Sequence, residues 1–189
     1  KIKIDTYGTI PFFETKDIQK YEPFPEEEGK IDFDIFNHGS RIRRREVALV
    51  FNFIDSIKGL NHILNVLSDY NLKCTFFISG EAIKRYPGAV KEIVASGHEI
   101  GSLFYSYFNM TDSKYDLDKE FIKKGLAINE DDFYTATGKD LDLLWHAPYY
   151  FVNTPIINAS KEMGYTYVGR DIDTLDWVTE SDSNVTSGI

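Results

Sequence analysis

The chain has 189 residues, 42% hydrophobic and 27% charged, with a formal net charge of -9. That is one domain of ordinary size with enough apolar residues for a substantial core. The acidic balance argues against nucleic acid, whose phosphates require clustered Lys and Arg, and against strongly anionic wall polymers. No apolar run approaches the ~20 residues that cross a bilayer.

Residues 1–30 are irregular. Pro11, Pro23, Pro25 and the acidic run Glu26–Glu28 read as a lead-in segment or linker, with the folded domain over 31–189. No basic-then-apolar leader opens the chain at Lys1, which leaves room for a leader or a domain upstream. Ile31, Phe33 and Ile35 alternate with Asp32, Asp34 and Phe36, the pattern of a half-buried strand. The basic cluster Arg41, Arg43, Arg44 and Arg45 is short and leads into the next strand, so it reads as a solvated turn.

From Val47 onward strand and helix alternate. Val47–Phe53 is an apolar run broken only by Asn52, as in a strand covered on both faces. Asp55 or Ser56 can cap the next helix, whose Leu60, Ile63, Leu64 and Leu67 recur at helical spacing. Cys74–Ile78 is a second apolar strand. Its lone cysteine is a small core residue and admits no disulfide within the chain. Ala82–Ser96 is helical, with a new turn at Pro87 and a stop at Gly97. Glu99–Leu103 is the third strand. Asp116 starts a third helix with Leu117, Phe121 and Leu126 on its inner face. Leu143–His146 is the fourth strand, Thr154-Pro155 opens a helix that Gly164 ends, and Tyr165–Val168 is the fifth strand. Such alternation implies parallel strands with right-handed crossovers, though periodicity does not separate an open sheet from a barrel.

Residues 72–111, LKCTFFISGEAIKRYPGAVKEIVASGHEIGSLFYSYFNMT, carry the strongest signal. This stretch resembles the core of the polysaccharide deacetylase family, the NodB-homology domain of carbohydrate esterases. The resemblance extends over about residues 45–178. It implies an irregular (β/α) barrel of about seven strands, with the site at the C-terminal ends of the strands. Only about five barrel strands are countable. Three explanations stand: an incomplete barrel, a gap filled by the strand near Ile31, or a C-terminal piece outside this sequence.

The family's chemistry rests on an Asp base, an Asp-His-His metal triad and an arginine that braces the base. At the first motif, TFDDG, this chain reads Val50-Phe51-Asn52-Phe53-Ile54. Asn52 at the base position cannot accept a proton near neutral pH, and Phe53 offers no ligand atom. The H-x-x-x-H motif is Leu103-Phe104-Tyr105-Ser106-Tyr107, so the former ligand positions are Phe53, Leu103 and Tyr107. Divalent metals need N, O or S donors at fixed geometry, so no metal or other cofactor is expected. The R-P-P-Y-G motif is His146-Ala147-Pro148-Tyr149-Tyr150. Loss of the arginine together with its Asp avoids stranding a buried charge. The resemblance gives the backbone N–H at Tyr149 a place in an oxyanion hole. Asp173-Thr174-Leu175-Asp176-Trp177 keeps the D-x-x-D-W motif, whose Trp lines the family's sugar groove. The leucine–x–histidine motif with the general acid has no counterpart.

Nothing else in the sequence rebuilds a site. His38, His62, His98 and His146 stand at no metal-ligand spacing. His62 reads as solvent-facing, His98 as structural, and His146 as the one aimed into the pocket. Three N-x-S/T sequons, at Asn109, Asn158 and Asn184, read as chance in a chain rich in these residues.

The expectation is a deacetylase-like domain without catalysis. The resemblance suggests an extracytoplasmic, secreted or cell-envelope setting and a polysaccharide or peptidoglycan-type glycan as partner. Tyr105, Tyr107, Tyr149, Tyr150 and Trp177 are the candidate sugar-contacting residues, with Phe53 and His146 beside them. Aromatic filling of the space left by the metal explains the same residues equally well. The register also predicts that Phe53, Leu103 and Tyr107 pack together in that space. An active N- or O-acetyl hydrolase and a structural or interaction module are the alternatives.

Overall fold

The computed structural model describes residues 35–38, 47–174 and 176. The segment 1–30, Ile31–Asp34, the Arg41–Arg45 cluster, Trp177 and Asn184 lie outside the described residues. Six strands form one parallel sheet: β1 (Ile35–Phe36), β2 (Val50–Phe53), β3 (Thr75–Ile78), β4 (Glu99–Ser102), β5 (Leu144–Trp145) and β6 (Thr166–Val168). Their order is β1-β6-β5-β4-β3-β2, every pair parallel. The helices are α1 (Leu60–Asp69), α2 (Gly80–Arg85), α3 (Pro87–Ala95), α4 (Lys119–Thr137) and α5 (Thr154–Lys161), with a 3-10 turn at Pro148–Tyr150.

Among the described residues β1 and β2 are the two edges and do not pair, so the sheet is open rather than closed. Ile35–Phe36 adds an edge strand beside β6, with Ile35 opposite Tyr167, while the residues around Ile31 lie outside the described residues. Edge position corrects two expectations. Ile35 and Phe36 are exposed rather than half-buried. Val47–Leu49 stay outside β2, and the strand is not covered on both faces: Val47 is 76% exposed and Val50 38%. With one neighbouring strand, β2 has only one side closed by the ladder.

The pleat divides the sheet. Phe51, Phe53, Phe76, Ile78 and Ile100 face the helices and build one core cluster with Leu60, Leu67, Ile83, Val90, Ile93 and Phe133. Trp145 and Tyr167 face the same side and build a second cluster with Phe104, Ile122, Leu126 and Ile156. Each fully buried Phe, Leu or Ile contributes roughly 1.5–3 kcal/mol, so these clusters are the main stabilising mass. Asn52, Phe77, Gly101, Leu103 and His146 alternate onto the other face.

Helix starts differ from expectation by one to four residues. The first residue before α1 is Gly59 at φ 79, with no side-chain cap, so neither Asp55 nor Ser56 caps it; Ser56 accepts from the Lys58 N–H instead. Asp118, not Asp116, caps α4 by accepting from the Phe121 N–H at 2.7 Å. Asn153 caps α5 in the same way from one residue before Thr154. The expected break at Pro87 is complete, since α2 and α3 are separate helices on either side of Tyr86.

Cys74 is buried, with its Sγ 3.6 Å from His98 Nδ1. Burial pushes its thiol up to about 11, against the opposing charge of Lys73. The nucleophilic thiolate is therefore scarce at neutral pH. Alkylation by iodoacetamide at pH 7.5 is expected to be at least tenfold slower in the folded chain than in denaturant; equal rates would contradict the buried environment.

Candidate functional site

Four strand ends deliver the site. Asn52 stands near the end of β2, Leu103 follows β4, His146 follows β5 and Arg170 comes two residues after β6. Asn52 and His146, far apart in sequence, meet directly: His146 Nε2 lies 2.9 Å from Asn52 Oδ1. The Asn52 amide donates in turn to the Tyr150 hydroxyl at 3.3 Å. Asn52 turns its amide oxygen to His146, and since that oxygen can only accept, Nε2 carries the imidazole proton. His146 Nδ1 is then an acceptor, buried and without a partner among the described residues.

The imidazole is walled by Phe77, at 5.0 Å between centroids, and by Tyr150 at 4.0 Å. Burial, assisted by the charge of Arg170, lowers its pKa to about 3. His146 is therefore neutral across the physiological range. It donates one hydrogen bond and is neither a cation nor an accessible base.

Backbone strain gathers here. Phe104, Tyr149 and Tyr150 have φ of 68°, 61° and 61°, in the region that favours glycine. The Phe104 N–H is held by Ser102 Oγ at 3.1 Å, and its carbonyl accepts from the Gly80 N–H at 3.0 Å. Asn129 on α4 donates to Ser102 Oγ at 2.7 Å and to the Ile78 carbonyl at 3.0 Å, tying the ends of β3 and β4 to the helix. This turn aims the following residues so that Tyr107 meets Tyr149, ring centroids 4.7 Å apart. Burial raises the Tyr107 phenol above its ordinary pKa; a hydrogen bond from the Tyr149 backbone and the charge of Arg170 oppose the rise.

Arg170 completes the group. Its guanidinium lies over the Tyr150 ring, 4.4 Å from the centroid, and pairs with Asp173. The sequence reading missed this residue and Phe77. The available signals were position and spacing: a cation just past a barrel strand, three residues before an Asp.

The structure thus gathers Asn52, Tyr107, His146, Tyr149 and Tyr150. It places other candidates elsewhere. Phe53 stands opposite Ile78 on the helix-facing side and stacks on Tyr86 at 6.1 Å. Leu103 is fully buried but on the other face, so the expected packing of Phe53 with Leu103 and Tyr107 does not occur. The cause is the pleat: once Asn52 faces His146, Phe53 must face the helices. Tyr105 packs on Phe104 and Phe121 in the second cluster, away from Tyr149. Trp177 lies outside the described residues. A separate cleft of about 190 Å³, lined by Met110, Asp112, Tyr115 and Asn153, takes none of the site residues.

A divalent metal does not fit this donor set. Position 53 carries a phenyl ring turned away, position 103 an isobutyl group, and position 107 a phenol whose pKa is raised rather than lowered. Among the described residues no three His, Cys, Asp or Glu side chains stand together as metal ligands.

A parallel sheet covered by helices, with polar and aromatic side chains gathered past the C-terminal ends of its strands, is an α/β architecture that carries its site at that edge. The sequence matches the polysaccharide deacetylase family over residues 40–168, and the chain belongs to that family. A peptidoglycan-N-acetylglucosamine deacetylase of Bacillus cereus is 27% identical over 77% of this chain and 51% of its own length. The peptidoglycan deacetylase PgdA of Listeria monocytogenes is 27% identical over 70% of this chain and 27% of its own. The chain therefore spans about half the length, or less, of these relatives. Among solved structures, a peptidoglycan N-acetylglucosamine deacetylase superposes with a TM-score of 0.73 at 22% identity, over 94% of this chain and 75% of that one. A carbohydrate esterase family 4 pseudoenzyme from Bacillus anthracis superposes with a TM-score of 0.64 at 21% identity, over 77% and 53%. These likenesses establish the fold. No helix among the described residues is long and apolar enough to cross a membrane.

Proposed function

We propose that this is a deacetylase-fold domain that binds a peptidoglycan-type glycan, in an extracytoplasmic or cell-envelope setting, without hydrolysing it. The observation that carries the reading is the Asn52–His146 contact. Where the family places an ionised base and its arginine, this chain has two neutral groups hydrogen-bonded to each other at 2.9 Å. An amide cannot accept the proton of an attacking water, and the one imidazole nearby has its proton committed to that amide. Names of the relatives favour an active hydrolase, but Asn52, Phe53, Leu103 and Tyr107 stand where that chemistry would need its base and its metal ligands.

What remains suits recognition. Tyr149 is 49% exposed and presents a ring braced by Tyr107. Aromatic faces bind the apolar faces of pyranose rings. Trp177 of the surviving D-x-x-D-W motif is the second candidate platform.

The test has two arms. Acetylated chito-oligosaccharides and peptidoglycan fragments, incubated with the protein and added zinc, cobalt or nickel, are expected to release no acetate above background. Titration of the same oligosaccharides is expected to give millimolar or tighter binding, weakened at least tenfold by Tyr149→Ala or Trp177→Ala in variants that remain folded. Metal-dependent acetate release that disappears on mutating the pocket would restore the hydrolase. Absence of any binding would leave only a structural module.

A further inference from the structure

Tyr150 stands where the backbone suits glycine. Its φ is 61°, in the left-handed region that a tyrosine adopts only under constraint, and the R-P-P-Y-G motif ends on glycine at this position. The side chain so placed is held both at its tip and on its ring. Its hydroxyl accepts from the Asn52 amide at 3.3 Å. The ring centroid lies 4.0 Å from that of His146, and the Arg170 guanidinium lies over the ring at 4.4 Å. His146 is 1% exposed, whereas Asn52 is exposed and Tyr150 half-buried. Of the two rings against the imidazole, Phe77 is fully buried and Tyr150 reaches solvent. Tyr150 is therefore the ring that closes the open side of the site over His146.

We propose that the Tyr150 side chain is a stopper that sets the specificity of the site: it fills the space beside Asn52 and His146, so the site takes a sugar ring at its surface and not the ring's N-acetyl arm. This rests on the glycan-binding reading above and adds its specificity. By the resemblance, residue 52 marks where the reacting group of a glycan would lie. Here a phenol takes that place, and its oxygen occupies an amide N–H that an acetamido carbonyl would use. Entry of the arm would require the ring to leave an imidazole, a guanidinium and an amide together. The exposed ring of Tyr149 is untouched by this closure and remains the platform. Since the backbone at residue 150 already suits glycine, removing the side chain asks no movement of the chain.

The experiment takes two readouts on the full chain. Carbethoxylation by diethyl pyrocarbonate, followed by peptide mass mapping, reports access to His146, with the exposed His62 as internal reference. His146 is expected to react at least about tenfold faster in Tyr150→Gly than in the wild type, relative to His62. Tyr150→Asn, whose short side chain tolerates the same φ, should behave as the glycine variant. Tyr150→Phe keeps the ring and should leave His146 protected. The second readout is titration with cellotetraose and with the N-acetylglucosamine tetramer, which carry a hydroxyl or an acetamido group at the same ring position. The wild type and Tyr150→Phe are expected to bind the two within about threefold of each other, and Tyr150→Gly to bind the acetylated tetramer at least about tenfold more tightly. Protection of His146 that survives in both small variants overturns the stopper. A wild type that already prefers the acetylated tetramer by about tenfold overturns it too, while leaving glycan binding in place. So does a glycine variant that opens His146 without gaining that preference. Binding of neither tetramer by any of the proteins overturns the glycan-binding reading, and the specificity with it.

Discussion

Below pH 6.5 the folded chain is expected to lose stability at up to about 1.4 kcal/mol per pH unit through His146 alone. The group titrates near the ordinary 6.5 when unfolded and near 3 when folded, first because it is buried and second because of Arg170. Between these values the unfolded state holds the extra proton, so stability rises with pH across that window and falls as acid is added. The full effect, on the order of 4 kcal/mol, is reached only near pH 3. Exposed carboxylates add their own acid sensitivity, so the comparison must be with a variant. His146→Gln keeps an N–H for Asn52 but has no proton to gain. Denaturant unfolding followed from pH 7 to pH 3.5 should show the wild type converging on, or crossing below, the variant as pH falls. Parallel curves would mean that His146 is hydrated or charged in the fold, and the neutral Asn52–His146 pair would go with it.

Much of the architecture was legible because the apolar residues recur with clean periods. The runs at residues 50–53, 75–78 and 99–102 became strands, and Pro87, Gly97 and Gly164 fell where helices break or stop. The losses have particular causes. Burial of Val47 and Val50 was misjudged because an apolar run does not reveal whether its strand has one neighbour or two. Caps slipped by one to four residues because Asp, Ser and Asn compete at adjacent positions, and only the backbone angle decides among them. At the site, the matched motifs brought Asn52 and His146 to each other across the sheet. The same motifs misplaced Phe53 and Tyr105, since a motif gives position along the chain and not the side of the pleat on which a changed residue settles. Arg170 was invisible because its importance comes from a ring 20 residues earlier, which only the folded chain places beneath it.

Gly125→Ala tests how firmly that folded arrangement is held. On propensity alone the change should stabilise α4 by about 1 kcal/mol, since glycine is a poor helix residue. The structure predicts the opposite. A Cβ on residue 125 would stand 2.1 Å from Phe104 Cζ, far inside contact distance. Phe104 cannot give way easily. It is fully buried, its ring is crowded by Tyr105, Phe108 and Phe121, and its backbone is pinned at positive φ by Ser102 and Gly80. Overpacking of such a site costs roughly 1–3 kcal/mol or more. The displacement should also travel to Tyr107, three residues on, and loosen its contact with Tyr149. Near-UV circular dichroism would report that loosening while the fold persists. Phe104→Leu, destabilising by itself, should make room for the added methyl, so the double variant should be more stable than the sum of the single losses by at least about 0.5 kcal/mol. Strict additivity, or a Gly125→Ala protein more stable than the wild type, would show that the ring is free to move and that the strained turn at Phe104 does not set the position of Tyr107.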